Sequence, residues 1–425
     1  MSRPPRPGSC RLPSLGLLAT AGVALACSRA AAPAPLGSAG SSATSPSASA
    51  TPPPSAAPPP SGATSASTPV ASAPPAATNV INEKSDAGVP GLVLGELFDI
   101  GPAGPATATP DGVVLLTKDD RLLVAKRTAG ARADKAKIEA VDPPPSALAP
   151  LGRGPSVAAG LAYWVSHGRL VRRPLTGERA IEVLADDARE KSRSTAVELG
   201  GKVAVAFLGR ADQEGTSHAR LWLEGGSTLD LTPDGSGASS VSLARVGDHL
   251  LATMIDGRSA MTPMHARTVR LTATGVELGT DVVVWVGGPA QAWTETFVGA
   301  EAGRAWAHVP IERDVTHFGL ASVDLGPEPH MDSEVAFFDY PNGIDLAPVS
   351  TAELCGRAHV AFVRPTTPAP RSPEELVLAR LGTSELVPVA NARGFASVSL
   401  ASVPGGGLMA YVADARTWAR GFSCH

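Results

Sequence analysis

A phrase that sets a polar residue two places before an arginine recurs along the chain: "SHGRLVR" from Ser166, "SHARLWL" from Ser217, "MHARTVRL" from Met264 and "DARTW" from Asp414. Its chemistry-bearing side chains are His167, Arg169, His218, Arg220, His265 and Arg267. His317 is a further member, with Gly319 in the arginine place. A guanidinium presents a planar fork to carboxylate or phosphate, and an imidazole adds a donor or acceptor near neutral pH. Gathered on one face, these groups would hold an anionic or sugar-like ligand, or a partner's acidic loop. A plainer use exists for the same residues. A polar residue before Gly, as in His167-Gly168, makes a tight turn, and the arginine that opens the next strand covers apolar edge while its charge stays wet. That turn reading predicts polar residues at matching places elsewhere, and Asp119 and Asp414 fill them.

Other constellations are weaker. "HMDSEV" puts His330, Asp332 and Glu334 on one side of an extended chain, as a cation site or simply a polar edge. Glu198, Glu295 and Glu353 fall on or near small-residue strands, where an acid serves as general acid or base only if neighbours shift its pKa. There is no Gly-x-Ser-x-Gly elbow, His-Glu-x-x-His, Gly-x-x-x-x-Gly-Lys loop or strand-linked Gly-x-Gly-x-x-Gly. A zinc shared by His218 and His265 would need both nitrogens within about 2.1 Å, which separate repeat units do not offer. No cofactor is expected. Binding of a protein or glycan partner is expected ahead of catalysis, with a polysaccharide or peptide hydrolase or lyase as the alternative.

The elements that position these residues are short alternating strands broken by Gly, Asp and Pro, without helical periodicity. A strand–turn–strand phrase repeats as "STAVELGGKVAVAFL", "SSVSLARVGDHLLATMI", "STAELCGRAHVAFV" and "ASVSLASVPGGGLMAYVA". A third strand follows near Arg121, Arg169, Arg220, Arg267, Gly319, Glu375 and Arg416, and a fourth in phrases such as "AIEVLA", "STLDLT", "DVVVWV" and "SELVPVA". Four strands recurring every ~40–55 residues predict an all-β propeller of seven blades. The last unit ends after its third strand, so the upstream "GLVLGELFDI", Gly91–Ile100, is expected to complete it and remove two open edges. Paired β-sandwiches are the alternative. The insertions "RPTTPAPRSPEE" and "HVPIERDVTHFGL" read as variable contact loops. "YWVSHGRLVRRPLTG" resembles blades of the YWTD and NHL propeller types, a likeness specific to that unit.

The amino terminus carries Arg3, Arg6 and Arg11 before an apolar run ending Ala24-Leu25-Ala26-Cys27. A basic flank and a short apolar core make a secretory signal. Its end resembles the lipobox of bacterial lipoproteins, which implies lipidation of Cys27, and Ser28 after it implies the outer membrane, facing the periplasm or the surface. The organisation expected is a signal peptide over 1–26, lipidated Cys27 with an Ala/Pro/Ser-rich tether over 27–87, and a folded domain over 88–425. The tether has too little apolar bulk to offset its ordering entropy. Net charge is −4 with both signs interspersed, which argues against nucleic acid and fits a monomer. Once Cys10 leaves with the signal and Cys27 takes lipid, Cys355 and Cys424 remain as a disulfide candidate in an oxidising compartment.

Overall fold

The computed structural model describes residues 91–140, 154–177, 180–190, 192–210, 217–225, 227–233, 236–256, 263–272, 275–286, 297–301, 304–312, 317–325, 330–339, 349–366, 373–380 and 386–424. All belong to one unit, Pro74–His425. The signal, Cys27, the tether and Glu295 lie outside the described residues, as does half of the "RPTTPAPRSPEE" insertion.

Among the described residues every regular element is a strand, and the strands form seven antiparallel sheets. After β1 (Leu92–Pro102), sheet one holds β2 (Ala106–Thr109), β3 (Gly112–Leu116) and β4 (Leu122–Lys126). Sheet two holds β5 (Ser156–Ala158), β6 (Leu161–Ser166), β7 (Arg169–Pro174) and β8 (Glu182–Ala185). Sheet three holds β9 (Thr195–Leu199), β10 (Lys202–Arg210), β11 (Ser217–Leu223) and β12 (Ser227–Asp230). Sheet four holds β13 (Ala238–Val246), β14 (His249–Asp256), β15 (Pro263–Thr272), β16 (Gly275–Leu278) and β17 (Val282–Val286). Sheet five holds β18 (Phe297–Glu301), β19 (Arg304–Glu312), β20 (His317–Asp324) and β21 (His330–Asp339). Sheet six holds β22 (Val349–Leu354), β23 (Arg357–Pro365), β24 (Glu374–Arg380) and β25 (Leu386–Ala392). Sheet seven holds β26 (Ser397–Val403), β27 (Gly406–Ala413) and β28 (Arg416–Cys424), completed by β1. Seven small sheets replace the few broad ones that paired sandwiches would give.

Two details correct the sequence expectations. "DVVVWV" is a fifth strand: β17 pairs with Pro263–Ala266 of β15, while β16 takes Val269–Thr272, so one edge is shared by two short strands. "HVPIERDVTHFGL" is not a free loop, since it runs through the end of β19 and the start of β20.

Each sheet packs a face on each of two neighbours, which explains why second strands lose the period-two pattern. "GVVLL" of β3 and "GGLMAYVA" of β27 are buried throughout, because apolar side chains are needed on both faces. The apolar clusters lie between sheets. Leu116 meets Trp164 between sheets one and two, and Tyr163 meets Phe207 between two and three. Leu221 meets Leu250 between three and four, and Ile255 meets Ala305 between four and five. Trp306 meets Val360 between five and six, Leu376 meets Met409 between six and seven, and Leu115 meets Leu408 between seven and one. First strands also touch in succession: β2 with β5, β5 with β9, β9 with β13, β13 with β18, β18 with β22, β22 with β26, and β26 with β2.

The upstream strand sits where the unfinished last unit needs it. β1 pairs antiparallel with β28 from Leu92↔Cys424 to Pro102↔Arg416. Arg416 donates to both Asp99 carboxylate oxygens, and Arg420 donates from Nε to Gly95 O at 2.8 Å. Cys355 and Cys424 form a disulfide with Cα atoms 5.6 Å apart, tying the β22–β23 turn to the same seam. The segment after β4 folds over the outside: a Cβ on Gly421 would overlap the Ala133 carbonyl, and one on Gly95 the Asp134 carbonyl. Buried Asp134 accepts hydrogen bonds from the Ser423 hydroxyl and from Arg132 Nε. Burial alone would raise its pKa, yet these bonds and the Arg132 charge hold it below the ordinary aspartate value.

Two outcomes follow for the seam. Replacing Cys355 and Cys424 by Ser should remove about 4 kcal/mol of unfolding free energy, the loop-closure value for a bridge spanning 69 residues, with an unchanged guanidinium midpoint as the contrary result. Because the folded-state pKa of Asp134 is depressed, its contribution is present above the unfolded value near 3.9 and is lost as pH falls through the folded one. Wild type should therefore exceed Asp134→Asn in stability by a constant margin above about pH 5. That margin should shrink below about pH 4 in chemical denaturation.

Candidate functional site

The turn residues come first. His167 has φ 50° and Gly168 φ 73°, the two positive values that a two-residue hairpin between twisted strands requires, and His167 is exposed. Asp414 (φ 50°) and Cys355 (φ 57°) occupy the equivalent first place in the β27–β28 and β22–β23 turns. His167 is thus at a turn, as its sequence predicts, and Arg169 opens β7 with its side chain exposed.

The other histidines are not turn residues. His218 is the second residue of β11 and only 4% exposed, with Nε2 3.3 Å from Asp230 Oδ1. His265 is the third residue of β15, its Nδ1 3.1 Å from Asp281 Oδ1. His317 begins β20, and its side chain, like those of His330, Asp332 and Glu334, lies outside the described residues. In sheet two the phrase straddles the β6–β7 turn, whereas in sheets three and four it lies inside β11 and β15, so an identical letter is exposed in one sheet and buried in another.

The arginines act as ties between sheets. Arg220 binds Asp187, beyond the outer strand of sheet two, and donates from Nε to Asp230 of its own sheet at 2.9 Å. Arg267 donates from Nε to Gly279 O and from Nη1 to Leu231 O of sheet three, both at 2.8 Å. Arg172 grips Glu182 with two nitrogens, reaches Glu224 of sheet three, and stacks 5.3 Å from the Trp222 ring centroid. Arg420 similarly reaches Val389 O of sheet six at 2.9 Å. Outer strands have few apolar contacts, so charged hydrogen bonds to the neighbour hold them in place.

What converges is the set of first strands. They surround a cavity of about 580 Å³ lined by residues of β2, β5, β9, β13, β18, β22 and β26 and the residues just before them. Each first strand pairs on one side only, which leaves backbone groups on its inner edge without a strand partner. Hydroxyls cover these groups across sheets. Ala108 N donates to Ser399 Oγ at 3.1 Å and Leu400 N to Ser350 Oγ at 3.0 Å, while Thr351 Oγ1 donates to Val298 O at 3.0 Å and Thr107 Oγ1 to Pro155 O at 2.6 Å. The small polar letters of the repeated phrase thus serve as latches. The close approach of successive first strands leaves room only for small side chains.

Further hydroxyls remain beyond the latches. Thr195 Oγ1 and Ser397 Oγ, both on lining residues, are buried and make no hydrogen bond among the described residues. Such groups call for a partner in a native protein. One charged side chain belongs to the described lining, Arg193, two residues before the start of β9. Burial is the cause that pulls its pKa down to about 10, which leaves it protonated at neutral pH. The sequence reading missed Arg193. Its signal was available: "RSTAVEL" carries a cation where "VSTAEL" has Val349 and "PSVA" has Pro155. None of His167, Arg169, His218, Arg220, His265 and Arg267 belongs to the lining, and neither do the exposed Glu198 and Glu353. The structure therefore does not bring the six together at the cavity.

No known sequence family and no curated protein matches the chain. Among solved structures, the N-terminal domain of Nup159 is similar at 9% identity and a TM-score of 0.43, over 78% of this chain and 95% of that one. The subtype N10 neuraminidase-like protein of A/little yellow-shouldered bat/Guatemala is similar at 12% identity and a TM-score of 0.39, over 62% and 91%. A lectin of Aleuria aurantia, in complex with alpha-methyl-L-fucoside, is similar at 11% and 0.39, over 64% and 92%.

The contrast between inter-sheet and surface arginines is testable. Arg220→Ala should lower the unfolding free energy by about 1.5–3 kcal/mol through loss of charged hydrogen bonds. Arg169→Ala should stay within about 0.5 kcal/mol of wild type in urea denaturation. Equal losses would remove the distinction.

Proposed function

We propose that this chain is a lipid-anchored envelope protein whose folded part is a closed seven-bladed β-propeller binding a glycan in its central cavity without chemical turnover. The cyclic order of inter-sheet contacts and the β1–β28 pairing support the toroid. One observation carries the binding reading: a cavity of about 580 Å³, walled by hydroxyl-bearing first strands and one guanidinium. That volume lies within the ~300–1,000 Å³ of small-molecule sites, and hydroxyls offer both donor and acceptor to a polyhydroxylated ligand. Support for anchoring is the sequence Ala24-Leu25-Ala26-Cys27 and the long tether behind it. Two or more acyl chains, at ~0.8 kcal/mol per buried methylene, would make the attachment stable.

The binding test is a glycan array probed with the full chain in detergent micelles. Wild type should retain at least one glycan class. Ala396→Trp, which puts bulk on an exposed lining residue, should lose that signal at least tenfold with an unchanged melting temperature. Retention of the signal by the blocked variant would move the site to an outer face. The anchor has its own test. Cys27→Ser should shift the protein from the membrane to the soluble fraction, and unchanged fractionation would falsify lipidation there.

A further inference from the structure

We propose that the cavity selects an acidic sugar, Arg193 binding the carboxylate while hydroxyls of the lining bind the ring hydroxyls. This rests on the cavity being the binding site. Arg193 is the charged member of the described lining, and no Asp or Glu belongs to that lining. A cation set among small apolar and hydroxyl side chains attracts an anion more strongly than it would in water. Arg193 also interacts within the protein, which fixes its side chain, and its five N–H donors leave capacity for a two-pronged carboxylate. Protonation through the neutral range follows from its pKa of about 10.

Geometry narrows the ligand further. Arg193 and the Ser and Thr residues of several sheets line the same space. A bare inorganic oxyanion needs far less than about 580 Å³ and would leave most of that hydroxyl-bearing wall uncontacted. A monosaccharide acid meets both, with its carboxylate at the guanidinium and its hydroxyls on the Ser/Thr wall. The absence of an aromatic side chain from the described lining argues for recognition by hydrogen bonds and charge rather than by stacking on a sugar face.

The test is titration calorimetry of the full chain in detergent with sodium glucuronate, the methyl ester of glucuronic acid, and glucose. The acid should bind at least about tenfold more tightly than either neutral sugar, with an advantage that falls as salt rises. Arg193→Gln should abolish that advantage, and Arg193→Lys should restore part of it. Equal binding of acid and ester to wild type overturns the inference and leaves the cavity reading standing. Binding of none of the three sugars overturns both. If Arg193→Gln does not fold, the acid-against-ester comparison on wild type still decides.

Discussion

The pairing of β1 with β28 is the constraint on which the rest of the molecule depends. Without it the seventh sheet would end at β28 with an open edge, and the strand that precedes the first sheet would have no partner. The two largest consequences are the apolar layers on either side of that sheet. Leu92 and Phe422 belong to the layer shared with sheet six, and Ile100 and Ala419 to the layer shared with sheet one. At the cavity, the Ala108–Ser399 latch joins the first sheet to the seventh. Four independent devices converge on this seam: backbone pairing, the Arg416–Asp99 fork, the Cys355–Cys424 bridge and the Ala133–Asp134 segment laid over Gly95 and Gly421.

A second principle is the division of labour from the first strand of each sheet to the last. First strands are small and hydroxyl-rich because they crowd together and must cover backbone groups across a gap. Second strands are apolar on both faces because they lie between two neighbouring sheets. Outer strands have the least apolar surface, and arginines of the third strands reach past them to carbonyls or carboxylates next door. Each letter class in the repeat therefore answers to the place of its strand in the sheet.

This division explains where the residues with chemical potential went. His167 and Arg169 remain exposed, but Arg220 and Arg267 hold the sheets together, and His218 is buried against Asp230. Recurrence in sequence marked these positions without separating a tie from a ligand contact. A tie needed at every interface recurs as regularly as a ligand contact would. Arg193 breaks the repeat rather than following it, and for that reason it passed unnoticed.

The alternation of strands, the turn at His167-Gly168, the spare strand Gly91–Ile100 and the third-strand starts were legible in the chain, because each depends on local periodicity or on counting strands. The sequence also narrowed the cysteines to one pair, Cys355 and Cys424. Their pairing needed the fold, since residues far apart along the chain come within bridging distance only when β28 and the β22–β23 turn share a seam. Tertiary structure alone decided which polar side chains line the cavity, which join neighbouring sheets and which stay wet. The reason is physical: a strand's period-two pattern says that two faces differ, while the identity of each face is set by the sheet that comes to lie against it.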